Sequence, residues 1–126
     1  MTTRVYLSGP MSGHENHNIK AFTEIAADLR EHYLYEVVSP HEVALPDGCT
    51  SVANNPEHNH EYHEWIKSDL IQMLTCSTIA MMDGWEKSVG AKIELNAAIA
   101  CGLKVMRVTP KLYGRGLLGK YNLRAI

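Results

Sequence analysis

Short apolar runs alternate with amphipathic stretches along most of this chain. Four runs predict buried strands, because each is brief, largely apolar and followed by turn residues. These strands cover residues 4–7, 35–38, 78–82 and 103–108. Between them, apolar residues recur every three or four positions, which predicts amphipathic helices. The helices cover about residues 18–32, 61–75 and 88–101.

This alternation predicts an α/β fold, with a parallel sheet of four or five strands covered by helices on both faces. The 126 residues suit a single domain spanning 1–126. Ligands of such folds bind beyond the carboxyl ends of the strands, which here means residues 8–13, 39–42 and 83–90. Residues 41–60 form a loop long enough to suggest a functional role, whereas the tail after the fourth strand carries no strong pattern.

The charge and cysteine content of the chain limit the kinds of molecule that it is expected to bind and the compartment in which it is expected to work. The net charge is −2 and no basic run is present, so a nucleic-acid polymer is a poor candidate, whereas a helix N-terminus can still bind a small anion. Three widely spaced cysteines, Cys49, Cys76 and Cys101, suggest neither a disulfide framework nor a zinc site. We therefore expect the thiols to be reduced. The sequence starts on a strand-like run without a signal peptide, and it has no apolar stretch of membrane length. These features predict a cytoplasmic protein with no membrane partner.

Two carboxylates break the amphipathic pattern. Asp69 lies on the helical stripe of Tyr62, Trp65, Ile66 and Met73, which is expected to face the sheet. Glu94 lies on the inward stripe of the next helix. A single inward carboxylate would be interpreted as solvated or paired with a cation, because an unpaired buried charge is costly. Two of them near the ligand edge favour a site. Paired carboxyl groups are typical of glycosidic-bond cleavage, in which one attacks the anomeric carbon and the other protonates the leaving group.

Two further features admit both a functional and a structural interpretation. The turn Ser8-Gly9-Pro10-Met11-Ser12-Gly13 joins a strand to a helix, where backbone amides can approach a phosphate, but it equally forms a plain tight turn. The spacing His58-x-His60-x-x-His63 could hold zinc. Because that segment is polar and loop-like, solvated or ligand-facing histidines are preferred, and neither a metal nor a cofactor is expected.

Three segments together resemble one family. They are Val5-Tyr6-Leu7-Ser8-Gly9, Ser68-Asp69-Leu70 and Ser88-Val89-Gly90-Ala91-Lys92-Ile93-Glu94-Leu95. Their order and separations are similar to those of the nucleoside 2-deoxyribosyltransferase superfamily, and within it to the 2'-deoxynucleoside 5'-monophosphate N-hydrolases, especially short bacterial and phage members. The resemblance covers about residues 4–108. It implies a flavodoxin-like three-layer fold, a homodimer or larger homo-oligomer, and a small-molecule nucleotide or nucleoside as substrate.

The resemblance also implies roles for individual residues. Glu94 looks like the nucleophile of a double displacement through a deoxyribosyl–glutamate ester. Asp69 looks like the acid that serves the leaving base, and Tyr6 like the tyrosine that orients the nucleophile. A larger group near the ligand edge is expected to bind substrate, namely Ser8, Gly9, Pro10, Met11, Gly13, Asp83, Trp85, Ser88 and Gly90.

Ser88 bears on the choice of substrate. In the resembled family, transferases acting on free nucleosides carry an acidic residue six positions before the glutamate, whereas the monophosphate hydrolases carry serine, as this chain does. A carboxylate would repel a phosphate, while a hydroxyl and helix N-terminal amides would bind it. The expected reaction is hydrolysis of a 2'-deoxynucleoside 5'-monophosphate. Base exchange, cleavage of a related N-glycoside and nucleotide binding without turnover are the alternatives.

The chain departs from the resembled family at three places. Asn96 stands where glycine is frequent, and residues 83–87 are about one residue longer than in the most similar members. A fifth strand is not obvious in the tail.

Overall fold

A computed structural model describes residues 2–11, 13–51, 60–111 and 121–126 of the chain. Within these residues, five strands form one sheet: β1 (Arg4–Ser8), β2 (Glu36–Val38), β3 (Thr78–Met81), β4 (Lys104–Pro110) and β5 (Tyr121–Ala125). The α-helices are α1 (Ile19–His32), α2 (Tyr62–Met73) and α3 (Val89–Ala100). Short 3₁₀ turns cover Glu15–Asn18, Pro40–Glu42 and Trp85–Lys87. In this part of the chain, no helix combines the length and the apolar character needed to cross a membrane.

The sheet has the strand order β2-β1-β3-β4-β5. The first four strands are parallel, and β5 runs antiparallel to β4. This is the flavodoxin-like order, and it confirms the α/β architecture expected from the sequence. From β1 the chain passes to β2 on one side of β1, and from β2 it returns to β3 on the other side of β1. The ligand crevice of such folds opens at this reversal, beyond the carboxyl ends of β1 and β3.

Alternation along β1 divides the interior into two cores. Val5 and Leu7 point to one face and pack in a cluster with Phe22 and Leu29 of α1. Tyr6 points to the other face, into a cluster that α2 and α3 cover. Because side chains two apart on a strand share a face, Ser8 points to the same side as Tyr6. The register of β1 thus sends two hydroxyl groups toward α2 and α3.

Capping groups fix the ends of the two helices nearest the crevice. At the start of α2, Glu61 and Glu64 form a capping box, in which each side chain accepts from the other residue's backbone N–H. At the start of α3, Ser88 Oγ accepts a hydrogen bond from the Ala91 amide at 3.2 Å. Gly102, with φ of 78°, ends α3 in the left-handed conformation that glycine adopts without strain. The starts of both helices are therefore held by side-chain caps.

The sequence left the number of strands open at four or five, and the structure has a fifth strand, which runs antiparallel to β4. The tail carries too few residues for a strong pattern, but Tyr121 and Leu123 alternate with Asn122 and Arg124. Tyr121 and Leu123 are half-buried and pack against the core beneath α1, so the face of β5 that carries them is apolar. Pairing with β4 supplies the ladder hydrogen bonds, and tertiary context therefore decides a strand that local sequence leaves undefined. Residues 112–120, which include the tail glycines, lie outside the described residues.

Candidate active site

Glu94 is a buried carboxylate held by two hydroxyl groups. Its residue is 5% exposed, and Tyr6 and Ser8 on β1 are fully buried beneath it. Tyr6 Oη donates to Glu94 Oε2 at 2.6 Å, and Ser8 Oγ donates to Oε1 at 2.7 Å. Both distances match O–H···O⁻ hydrogen bonds to an ionised carboxylate. One face of a single strand thus supplies a donor to each oxygen of this carboxylate.

The surroundings of Glu94 act on its charge in opposite directions. The pKa of Glu94 is raised above its ordinary value, because burial raises it by more than the hydrogen bonds from Tyr6 and Ser8 lower it. The pKa of Tyr6 is raised well above its ordinary value, first by burial and then by the charge of Glu94. The phenol therefore stays protonated and keeps its hydrogen for the bond to Glu94. The two hydroxyl donors favour the ionised form of the carboxylate against the cost of burial.

Asp69 on α2 is a second carboxyl group in the same electrostatic environment. Burial, followed by the negative charge of Glu94, raises the pKa of Asp69 from 3.8 to about 8. Two nearby carboxyl groups resist double ionisation, so one keeps a proton where an isolated group would lose it. Because Glu94 has the hydroxyl donors, the proton belongs on Asp69. These contacts favour an ionised Glu94 beside a protonated Asp69.

Both carboxyl groups line a cavity of about 320 Å³ at the carboxyl edge of the sheet. This volume lies in the range of small-molecule binding sites. The stripe of α2 that was expected to face the sheet lines this cavity instead, and of its apolar residues only Met73 is buried in the core. The lining consists of Gly9, Met11, His17, Pro40, Ser51, Tyr62, Trp65, Ile66, Asp69, Ser88, Gly90, Ala91 and Glu94.

His41 fastens two parts of the cavity wall together. It is 4% exposed and packs edge-on against Phe22. Its Nε2 lies 2.9 Å from the carbonyl oxygen of His17, and its Nδ1 lies 2.6 Å from Ser51 Oγ. A carbonyl only accepts, so Nε2 carries the hydrogen and Nδ1 accepts from the hydroxyl. Burial lowers the pKa of His41, which favours this neutral ring. His17 and Ser51 both line the cavity, so the hydrogen bonds of His41 link these two segments of the cavity wall.

The structure brings most of the sequence-based candidates together. Glu94, Asp69, Gly9, Met11, Ser88 and Gly90 line the cavity, and Tyr6 and Ser8 reach it through Glu94. The lack of a side chain on Gly9 lets its turn pass close to Met82, the residue after β3. A Cβ on Gly9 would lie only 2.8 Å from Met82 Cβ.

Besides Tyr6 and Ser8, four candidates are absent from the lining found within the described residues. The Pro10 ring lies against Gly84, with Cγ 3.3 Å from where a Cβ of that glycine would stand. Asp83 lies 3.7 Å from Arg107, and Trp85 packs on the core that contains Tyr6. Gly13, with φ of 81°, has open space beside it. Their expected contact with substrate therefore stays a prediction.

Sequence reasoning missed other parts of the wall. Tyr62, Trp65 and Ile66 were assigned to the core, because helical periodicity does not separate a face that lines a cavity from one that packs on a sheet. His17 lies in a short 3₁₀ turn and Ser51 in a loop, and neither kind of segment carries a periodic signal. Of the spaced histidines, His60 and His63 are described, and His58 lies outside the described residues. His63 is exposed and lies 3.3 Å from Glu61.

Comparisons with known proteins bear on the family and the fold. A protein-family model described as "Domain of unknown function (DUF4406)" matches residues 3–107. The crystal structure of a conserved protein from Enterococcus faecalis V583 is similar, with 16% identity and a TM-score of 0.65, over 93% of this chain and 69% of that one. A 2-desoxiribosyltransferase from Leishmania mexicana is similar too, with 12% identity and a TM-score of 0.58, over 95% of this chain and 78% of that one. No curated protein sequence matches. At such identities the structural likenesses show a shared fold.

The raised pKa of Asp69 predicts how stability depends on pH. Between pH 3.8 and about 8 the folded protein keeps a proton on Asp69 that the unfolded chain has lost, so this group lowers the free energy of unfolding as the pH rises. Asp69→Asn removes the effect. We expect it to exceed the parent in stability at about pH 9 by more than about 1.4 kcal/mol, the equivalent of one pKa unit, and to match it near pH 4.

Urea denaturation of both proteins at a series of pH values measures this difference. Asp83→Asn is the matched control, because the Asp83 side chain is 56% exposed and should give a difference that changes little with pH. A difference between Asp69→Asn and the parent that stays constant across the series would contradict the assigned protonation.

Proposed function

The chain belongs to the DUF4406 family, and we propose that it is an N-glycosidase that hydrolyses a 2'-deoxynucleoside 5'-monophosphate to the free base and deoxyribose 5-phosphate. The observation that carries this proposal is the pair of carboxyl groups at one cavity, with Glu94 held by two hydroxyl donors and the pKa of Asp69 raised to about 8. Environments that separate the protonation of two carboxyl groups assign one as nucleophile and the other as acid. The fold shared with a 2-desoxiribosyltransferase supports deoxyribosyl chemistry.

The first step breaks the bond between the sugar and the base. A carboxylate oxygen of Glu94 attacks C1' of the deoxyribose, and the electron pair of the C1'–N bond leaves with the base nitrogen. Asp69 donates its proton to that nitrogen, so the base departs neutral and Asp69 becomes ionised. Tyr6 and Ser8 hold the attacking carboxylate in position. The product on the protein is a deoxyribosyl ester of Glu94.

The second step releases the sugar. The ionised Asp69 accepts a proton from a water molecule, whose oxygen attacks C1' while the ester bond to Glu94 breaks. Glu94 recovers its negative charge, which the Tyr6 and Ser8 hydroxyls stabilise, and Asp69 is again protonated. This reversal of roles, from acid to base, is the ordinary course of a retaining glycosidase. Replacing the water by a second base would give base exchange from the same intermediate.

The walls of the cavity suggest where the rest of the nucleotide binds. Trp65, Tyr62 and Ile66 form the largely apolar side on α2, which suits the planar base. Ser88 also lines the cavity and opens α3. Gly90, in the first turn of this helix, carries no side chain, and a Cβ there would lie 3.0 Å from Tyr62 Oη. A helix N-terminus favours an anion, and this helix carries no acidic residue in its first turn. We therefore assign the 5'-phosphate to this end.

A substrate panel tests the proposal directly. Purified protein is incubated with 2'-deoxynucleoside 5'-monophosphates without any acceptor base, and free base and deoxyribose 5-phosphate are measured by chromatography. We expect both products in equal amounts, and none with Glu94→Gln, which cannot form the ester. Turnover that requires an added acceptor base would instead identify a transferase, and release by Glu94→Gln at the parent rate would rule out the mechanism.

Asp69→Asn tests the acid. The variant cannot supply a proton to the leaving base, so we expect ordinary bases to be cleaved about 10²–10⁴-fold more slowly. A 4-nitrophenyl deoxyriboside 5-phosphate needs no proton on its leaving group, so its first step should be affected much less. The burst of nitrophenol in rapid mixing measures that step. Equal losses with both substrates would remove Asp69 from the acid role.

Ser88→Asp tests the phosphate assignment. Aspartate caps a helix as well as serine does, so stability should change little, but its charge repels a phosphate and can accept a hydrogen bond from a free 5'-hydroxyl. We expect the ratio of kcat/KM for a monophosphate over its nucleoside to be high in the parent and to fall at least about tenfold in the variant. Ser88→Asn, an uncharged cap, is the control and should retain the ratio. A parent with no preference for the phosphate would favour base exchange.

A further inference from the structure

A cluster of metal-ligand side chains lies beside the catalytic cavity and takes no part in the proposed reaction. It consists of Asp47, Cys49 and His60, whose carboxylate oxygen, sulfur and imidazole nitrogen lie within 4.8 Å of one another. We propose that these three side chains form a zinc site. Thiolate, imidazole and carboxylate are the donors that zinc takes in proteins, and three protein ligands with one further position is an established zinc arrangement.

A tight turn fixes the first two ligands. The Gly48 amide donates to the Leu45 carbonyl at 2.8 Å, and the Leu45 amide donates to the Cys49 carbonyl at 2.8 Å. Gly48 has φ of 90°, a conformation that glycine adopts without strain. Asp47 Oδ1 accepts from the Cys49 amide at 3.0 Å, which leaves Oδ2 to point elsewhere. The turn therefore presents a carboxylate oxygen and a sulfur that are anchored by one backbone.

The His60 ring contacts this turn through one nitrogen and Glu64 through the other. Its Nε2 lies 2.8 Å from Asp47 Oδ2, and its Nδ1 lies 3.4 Å from Glu64 Oε1. Glu64 is itself fixed, because its Oε2 accepts from the Glu61 amide at 2.7 Å in the capping box of α2. A metal-bound histidine typically donates its second ring N–H to such a carboxylate. The His60 side chain is 10% exposed, so the ring has little freedom to turn away.

Zinc fits this cluster with small adjustments. Zinc bonds of about 2.0–2.3 Å in tetrahedral geometry separate the donor atoms by about 3.3–3.6 Å. The separations in the structure run from 2.8 Å for His60 to Asp47 up to the 4.8 Å limit of the cluster, so shifts of about 1 Å suffice. On binding, the Cys49 thiol gives its proton to solvent and its sulfur bonds zinc as the thiolate. Asp47 is exposed at the surface and offers the ion a route in.

The site would join two parts of the cavity wall. Ser51 follows Cys49 closely in the chain and lines the cavity. Trp65, which also lines the cavity, packs edge-on against the His60 ring at 5.5 Å. An ion held by Cys49 and His60 therefore connects the loop that carries Ser51 to the start of α2. The ligands of this site include neither Glu94 nor Asp69, so the proposal assigns the ion no step in the cleavage reaction.

Zinc titration against a chromophoric chelator tests the site. The protein is first stripped with a chelator and dialysed, and we expect it to bind one zinc per chain. Cys49→Ser and His60→Ala should weaken zinc binding at least about 100-fold, whereas Cys101→Ser and His63→Ala should bind zinc like the parent. These controls remove the same residue types outside the cluster. Glu64→Gln retains the capping interaction and should weaken binding about tenfold.

Two further measurements keep the test independent of misfolding. Cobalt bound to the parent and to Cys101→Ser should show the charge-transfer absorption of a cobalt–thiolate bond, and cobalt with Cys49→Ser should not. Added zinc should raise the melting temperature of the parent but not that of Cys49→Ser. If the stripped parent binds zinc no more tightly than Cys49→Ser, or if Cys101→Ser and His63→Ala lose the ion, the proposal is wrong.

Discussion

An ionised carboxylate that is buried must be hydrogen-bonded, and the position of Glu94 follows from this constraint. Burial alone would cost several kcal/mol. Two hydroxyl donors offset that cost, and both come from alternate positions of β1, the central strand between β2 and β3. On α3, the buried residues on either side of Glu94 are Ala91 and Ala98, whose small side chains let the helix lie close to the sheet. The buried carboxylate of Glu94 therefore depends both on the register of β1, which supplies its hydroxyl donors, and on the close packing of α3 on the sheet.

The second carboxyl group turns this arrangement into a site with two roles. Asp69 lies on another helix, so its distance from Glu94 depends on how α2 and α3 pack together. Its raised pKa results from partial burial and from the charge of Glu94, both of which favour the protonated acid. A neutral acid and a charged nucleophile at one cavity are what a retaining cleavage of a glycosidic bond requires. The proposed chemistry thus depends on the relative placement of two helices over one strand.

The sequence predicted the four parallel strands, the three helices and both carboxyl groups, because each of these depends on local periodicity or on its violation. It left β5 and its antiparallel direction open, because the alternation in this strand is too short to stand out without β4 beside it. It assigned Tyr62 and Trp65 to the core, since periodicity reports an apolar face but not what that face meets. Contacts between segments far apart in the chain could not be predicted from the sequence either. The hydrogen bonds of His41 and the approach of His60 to Cys49 arise only when the chain is folded.

The ester on Glu94 is the central claim, and its mass tests that claim most directly. Asp69→Asn should form the ester from a 4-nitrophenyl deoxyriboside 5-phosphate but hydrolyse it slowly, because it lacks the base for the second step. After an acid quench, intact-protein mass spectrometry should show one added deoxyribosyl phosphate group per chain, and peptide mapping should place it on Glu94. A burst of nitrophenol without any mass increase, or a label on another residue, would contradict the account.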